Sequence, residues 1–176
     1  ELTRQEYVRL VKTAQKKGNI RLSLVIQTIC ATGIRVSELQ FITVEALRKG
    51  CAEVNCKGKR RIIFLPEKLQ RILLRYAKNH SIGEGHVFIT KSGRPMNRSN
   101  IWADMKKLCR EAHVSPEKVF PHNLRHLFAR TFYSLEKDIA KLADLLGHSS
   151  IETTRIYIME SGKEHWRRLN QMRLVW

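Results

Sequence analysis

The sequence predicts a mostly α-helical fold carrying one small antiparallel β-sheet, an α+β architecture. Three observations predict it. Apolar residues recur at helical spacing through most of the 176 residues. Glycines and N-capping side chains punctuate those runs. One stretch, Cys51 to Pro66, instead holds two short Val- and Ile-rich segments joined at Lys57-Gly58, the pattern of a hairpin. The length suits a single domain, residues 1–176, with its own core.

Taken in order, Thr3 and Glu6 form a capping-box pair ahead of Tyr7, Leu10, Val11 and Ala14, so a helix begins there and Gly18 stops it. "IRLSLVIQTICAT" is apolar on most sides, which predicts a buried helix ended by Gly33. "RVSELQFI" predicts a further short helix. The hairpin turn carries Lys57, Lys59, Arg60 and Arg61, and after Pro66 "EKLQRILLRYAKN" resumes helical spacing. "HVFIT" predicts a third short strand, "KSGRPMNRSN" a basic, turn-rich loop and "IWADMKKLCREA" a helix. In "HNLRHLFARTFYS", Leu124, Leu127, Phe128 and Thr131 are expected to face a core. In "DIAKLADLLG", Ile139, Leu142, Leu145 and Leu146 share one face, with Gly147 as the C-terminal cap. Ser149 and Glu152 make a second capping-box pair, which starts a helix near Ile151. "KEHWRRLNQMRLV" predicts a final amphipathic helix.

Charge narrows the class. Thirty-three Lys and Arg against sixteen Asp and Glu give a net +17, spread along the whole chain. Such an excess favours a polyanionic partner, because binding releases counterions condensed on phosphates. No apolar run approaches the ~20 residues that span a bilayer, and "ELTRQEYVRLV" has no signal-peptide core. The absence of an initiator Met leads to the expectation of a segment from a longer protein. Cys30, Cys51, Cys56 and Cys109 lack the short spacing of a zinc site. They read as reduced thiols of a cytoplasmic protein, so no metal is expected.

Four segments then fit one pattern: "ATGIRVSEL", "CKGK", "PHNLRH" and "LLGHSSIETTRIY". Together they resemble the catalytic signature of the tyrosine recombinases, the Xer and phage-integrase family. The resemblance runs over essentially the whole chain, in family order and with family-like gaps. It implies the catalytic-domain fold of that family, without the N-terminal core-binding domain that usually completes the DNA clamp. It also implies that Arg35 is the first catalytic arginine, Glu38 its acidic neighbour and Lys57 the catalytic lysine. His122 and Arg125 match the HxxR pair, His148 the next active-site histidine and Tyr157 the nucleophile. Lys59, Arg60 and Arg61 are expected to touch DNA.

These residue types suit the implied reaction, in which a tyrosine attacks a DNA phosphodiester, forms a 3′-phosphotyrosine link and releases a 5′-hydroxyl. Arginines stay charged and present a planar fork to the nonbridging oxygens, so Arg35 and Arg125 form the expected clamp. A free tyrosine has a pKa near ~10 and is a weak nucleophile at neutral pH. A nearby imidazole that takes its proton corrects this, and His122 is the candidate base. Lys57 is the candidate donor to the departing oxygen, Glu38 orients Arg35, and His148 hydrogen-bonds the phosphate. The link conserves the phosphodiester bond energy, so neither ATP nor another cofactor is expected.

Each residue alone has a plainer reading. Arg35 and Glu38 form an ordinary surface pair, Lys57-Gly58-Lys59 a solvated turn, His126 a structural neighbour, and Tyr157 a half-buried aromatic. Those readings must all coincide, in order, to displace the resemblance. A rival class takes "DIAKLADLLGHSSIETTRIYI" as a non-catalytic helix-turn-helix module, which leaves Arg35, Lys57, His122 and Arg125 unexplained. A type IB topoisomerase uses a similar residue set, but the tight LLGH-to-Tyr block and the short chain favour a recombinase. The expected partners are double-stranded DNA and further copies of the chain in a tetrameric synapse, with no membrane. Trp166, Leu169, Met172 and Leu174 are the anchors by which the last helix docks on a neighbour or on its own core.

Overall fold

Helix α2 (Ile20–Thr32) is the centre of the molecule, and its sequence explains why. It carries almost no charge, and Leu24, Val25, Ile26 and Ile29 are all buried. Asn19 caps its start by accepting the Leu22 N–H, and Gly33 ends it at φ 72°. A Cβ at Gly33 would stand 2.6 Å from Phe128 Cδ1, so both conformation and space require glycine there. The computed structural model describes residues 1–159 and 162–175, excluding the side chain of Cys56.

Helix α1 (Arg4–Lys16) packs on α2 through Leu10 and Ala14 and opens on the predicted capping box between Thr3 and Glu6. Val36–Phe41, expected as a short helix, forms 3-10 turns. Helix α3 (Val44–Lys49) follows; its six residues are too short for a periodic pattern to stand out in the sequence. Strands β1 (Cys51–Cys56) and β2 (Lys59–Phe64) pair antiparallel with Cys56 opposite Lys59. Lys57 (φ 52°) and Gly58 (φ 77°) make the two-residue turn, as the hairpin pattern predicted. Ala52, Val54 and Ile63 face the core, whereas Ile62 and Phe64 stay exposed.

Helix α4 (Glu67–Asn79) seats Leu69 and Leu73 in the same core. The third strand expected at "HVFIT" does not form. His86 makes one isolated bridge with Thr43, and the Val87 N–H donates to the Ile42 carbonyl at 3.1 Å. Val87 and Phe88 are consecutive and both buried. That burial breaks the alternation a strand on a one-sided sheet needs, so the segment plugs the core. The helix expected at "IWADMKKLCREA" is two, α5 (Arg98–Lys107) and α6 (Cys109–Ala112).

The last third is a second, smaller packing unit on the first. Helix α7 (Pro121–Leu135) spans both, giving Leu124 and Leu127 to the main core and Ala129 to the small one. Thr131, expected to face a core, is exposed and its hydroxyl donates back to the Leu127 carbonyl at 2.7 Å. Helix α8 (Ile139–Leu146) buries Leu142 and Leu146 and ends at Gly147, φ 74°. Helix α9 (Ile151–Tyr157) starts where predicted, but its cap is Ser150, whose Oγ accepts the Glu152 N–H at 3.2 Å. Ser149 falls one residue short, and the Glu152 carboxylate turns to Arg155 at 3.4 Å. Helix α10 (Gly162–Gln171) leaves Trp166 75% and Leu169 62% exposed; Met172 and Leu174, beyond its end, are exposed too. Among the described residues no helix is long and apolar enough to cross a membrane.

Candidate active site

Tyr157 lies at the last turn of α9, only 7% exposed, in the small core between α7, α8 and α9. Its hydroxyl is 2.5 Å from His122 Nε2. His122 stands one residue into α7, after Pro121 fixes the first helical position. Three imidazoles ring the tyrosine, with centroids at 5.1 Å for His122, 4.2 Å for His126 and 4.6 Å for His148. The Arg125 guanidinium carbon lies 5.8 Å from the centre of the same ring.

Among the described residues Arg125 is the largest fully buried side chain, 1% exposed. A buried guanidinium needs acceptors. It finds them at the ends of two helices, donating from Nη1 to the Gly33 carbonyl at 2.5 Å and from Nη2 to the Leu146 carbonyl at 3.1 Å. Both are C-terminal ends, where helix dipoles favour a cation. Nη2 also comes to 3.5 Å from His148 Nε2. The other His148 nitrogen, Nδ1, meets Thr154 Oγ1 at 2.8 Å, which locks the ring into the turn between α8 and α9. Burial, and then the nearby Arg35, pull Arg125 down to about 10, so it stays cationic near neutrality.

Glu38 is 1% exposed and takes the Arg35 N–H on Oε1 at 2.9 Å. The Arg35 guanidinium lies 3.5 Å from its other oxygen. Arg61 is the nearer side-chain partner. It donates from Nη1 to Oε2 at 2.5 Å and from Nη2 to Oε1 at 2.7 Å. Arg61 was expected to face DNA with Lys59 and Arg60, but its side chain is 12% exposed and folded inward, whereas those two neighbours are exposed. Its position on β2, opposite Val54, is what turns it toward the protein.

Arg35 lies between two depressions. On one side His122, Arg125, Arg98 and Trp102 line a pocket of ≈ 280 Å³. On the other an open cleft of ≈ 1030 Å³ runs under the hairpin to Gly147 and His148. Lys57, Lys59, Arg60, Arg61, Arg98 and Lys141 join Arg35 in lining it, against one carboxylate, Asp144, among the described residues. The fold thus gathers Arg35, His122, Arg125, His148 and Tyr157 in one neighbourhood. Lys57, on the exposed turn, lines the same cleft as Arg35 and His148. Sequence reasoning did not anticipate the Tyr157 contact of His126, the Thr154 bond to His148, or the Arg61–Glu38 fork. The i, i+4 spacing of His122 and His126 on one helix was the available signal for the first.

Partial burial, then Arg125, Arg35 and Arg98, hold His122 below the ordinary imidazole range, which keeps it a neutral proton acceptor. Burial and neighbouring cations push His126 and His148 to about 4. Burial would raise Glu38, but the Arg61 hydrogen bonds, the Arg35 N–H and both guanidinium charges outweigh it and hold it low. The sign follows. An unfolded histidine titrates near ~6.5, so from there down to about 4 the unfolded chain binds more protons and stability is lost as the pH is lowered. Glu38 adds a loss in the same direction further into acid, since its contribution is present above the ordinary carboxylate range and lost below it. Thermal denaturation should show a cost of about 2 kcal/mol on moving from near pH 7 to near pH 5, after allowing for solvent screening. That is roughly 4–8 °C for a chain of this size; an unchanged midpoint would contradict the neutral-histidine cluster.

The model of the phage integrase family matches residues 1–164. The chain belongs to that family. Its sequence is 34% identical over 168 residues to the tyrosine recombinase XerD of Xanthomonas axonopodis pv. citri, covering 87% of this chain and 55% of the relative. The tyrosine recombinase XerA of Pyrococcus furiosus is 31% identical over 169 residues, which is 92% of this chain and 58% of the relative. A crystal structure of XerA recombinase superposes with a TM-score of 0.82 at 26% identity, over 99% of this chain and 64% of that one. The chain therefore has the tyrosine-recombinase catalytic-domain fold and spans about half the length of the curated phage-integrase relatives it matches.

Proposed function

We propose that this chain is the catalytic domain of a site-specific DNA recombinase, one that cuts and rejoins strands through a 3′-phosphotyrosine intermediate. The observation that carries this reading is the 2.5 Å contact between Tyr157 Oη and His122 Nε2 beside two arginines. His122, neutral, takes the phenolic proton as Tyr157 attacks phosphorus. The bond from phosphorus to the 5′ oxygen breaks, and Lys57 supplies the proton that this oxygen gains. Arg35 and Arg125 stabilise the charge that grows on the nonbridging oxygens, with His148 beside them. Attack by another strand's 5′-hydroxyl reverses the step and frees the tyrosine.

The basic cleft suits double-stranded DNA, and relatives support the same partner. One solved structure is of XerH bound to a difH substrate. Against the helix-turn-helix reading, α9 buries Tyr157 instead of presenting it to a groove. An intracellular, nucleoid-associated enzyme acting in integration, excision or chromosome resolution fits this chemistry. The exposed Trp166, Leu169, Met172 and Leu174 favour docking of the C-terminal helix on a neighbouring copy in a tetrameric synapse. An N-terminal DNA-clamping domain in the full-length protein would complete the grip.

Covalent trapping tests the proposal. The full-length protein, incubated with a library of nicked duplexes of randomised sequence, should yield an SDS-resistant adduct at a 3′ phosphate. Peptide mapping should place the nucleotide on Tyr157. An adduct on another residue, or none, refutes the proposal. Plasmid relaxation without strand exchange would favour the topoisomerase chemistry instead.

A further inference from the structure

Arg61, in the wall of the cleft, is fastened by three side-chain hydrogen bonds. Its Nη1 and Nη2 donate to the two oxygens of Glu38 at 2.5 and 2.7 Å. Its Nε donates to the Leu145 carbonyl in the last turn of α8 at 3.2 Å. Its aliphatic and guanidinium atoms lie against Gly147, where a Cβ would come within 2.8 Å of Cδ and 3.0 Å of Nε. Glu38 in turn holds the Arg35 backbone N–H and stands 3.5 Å from the Arg35 guanidinium. Three separate segments therefore meet on this one side chain. They are the strand leading from the Lys57 turn, the 3-10 segment behind Arg35, and the turn that carries His148.

From this geometry we infer that Arg61 is a positioning residue, which sets the Lys57 hairpin in register with Arg35 and with the His148 turn. The inference rests on the proposed roles of those three groups. Shape decides why arginine stands here. A lysine presents a point charge and cannot reach both carboxylate oxygens and a carbonyl from one rigid fork. A hairpin of two strands is marginally stable alone, so its turn takes its position from whatever β2 is fastened to. Ile63 fastens it to the core, and Arg61 fastens it to the site. The glycine at 147 follows from the same packing, since its missing Cβ leaves room for the guanidinium.

The test uses the full-length protein and a cleavable duplex recovered by trapping, made with either oxygen or sulfur at the bridging 5′ position of the scissile phosphate. A thiolate leaves without a proton, so sulfur removes the need for Lys57 alone. Arg61→Lys should cleave the oxygen substrate about 10²-fold more slowly, bind DNA within about twofold of the unaltered protein, and regain on sulfur the part of the rate lost through Lys57. Lys57→Ala, run in parallel, should show the same rescue. Rescue of Lys57→Ala without rescue of Arg61→Lys overturns the coupling, and so does an unaltered rate in Arg61→Lys. A Lys57→Ala defect that sulfur fails to relieve overturns the role of Lys57 instead. The coupling is then decided by backbone hydrogen exchange in Arg61→Lys. Faster exchange at both the Cys56–Lys59 turn and the Gly147–Ser149 turn supports it, and unchanged exchange at either sinks it. Arg61→Ala strands the buried Glu38 carboxylate, so the double variant Glu38→Gln, Arg61→Met is the second arm. It removes both charges together, and it too should exchange faster at both turns.

Discussion

Tyr157→Phe should abolish strand cleavage, with a rate loss on the order of 10⁵-fold or more, while DNA affinity stays nearly unchanged. Loss of a nucleophile that nothing replaces has costs of that size in other covalent enzymes. The substitution removes one oxygen. The ring remains in the small core with Ala129, Leu142 and Leu146, and its contacts with His126 and His148 persist. Fold and binding surface should therefore survive. His122 loses the partner at 2.5 Å, but as a solvent-accessible side chain it can turn to water. The discriminating measurement is single-turnover cleavage of a nicked duplex, alongside binding of the same duplex. Residual cleavage within 100-fold of the unaltered protein would move the nucleophile elsewhere. Loss of binding in parallel would mean the ring is structural, as the plainer reading of a half-buried tyrosine has it.

Much of this arrangement was legible in the sequence because it is local. Capping pairs and glycines set the bounds of α1 and α2, and Lys57-Gly58 announced a two-residue turn because few residues accept positive φ. The HxxR spacing put His122 and Arg125 on one helix. What escaped was long-range. Nothing in "KRRIIF" says which of three adjacent cations turns inward; pairing with β1 decides it, by setting Arg61 opposite Val54. "HVFIT" has strand-forming residues but makes isolated bridges, His86 to Thr43 and Ile89 to Pro95, and core packing took Val87 and Phe88 together. Ser149 and Ser150 are chemically alike, so the backbone conformation leaving Gly147 chose between them. The fork on Glu38 spans 23 positions, a separation at which periodicity carries no signal.

Arg125→Lys should do two kinds of damage that separate experimentally. The first is structural. Arg125 satisfies the terminal carbonyls of Gly33 and Leu146 at once, joining the C-terminal ends of α2 and α8. A lysine ammonium reaches one of them well and leaves the other short of a donor, at about 1–3 kcal/mol. The midpoint of thermal unfolding should fall by roughly 2–12 °C. The second is chemical. Burial already pulls Arg125 down to about 10, a shift a guanidinium absorbs without losing its charge. A lysine starts near ~10.4, and the same burial carries it toward neutrality, so both the fork and part of the charge leave the site. Cleavage should drop on the order of 10³-fold, with the deficit deepening as pH rises and the lysine deprotonates. Stability lost to an unpaired carbonyl carries no such alkaline trend, because a carbonyl does not titrate. Measured well below the new midpoint, a cleavage deficit that is flat with pH would assign Arg125 to the scaffold alone. A deficit that grows with pH would place its charge on the reacting phosphate, between the ends of the two helices that hold it.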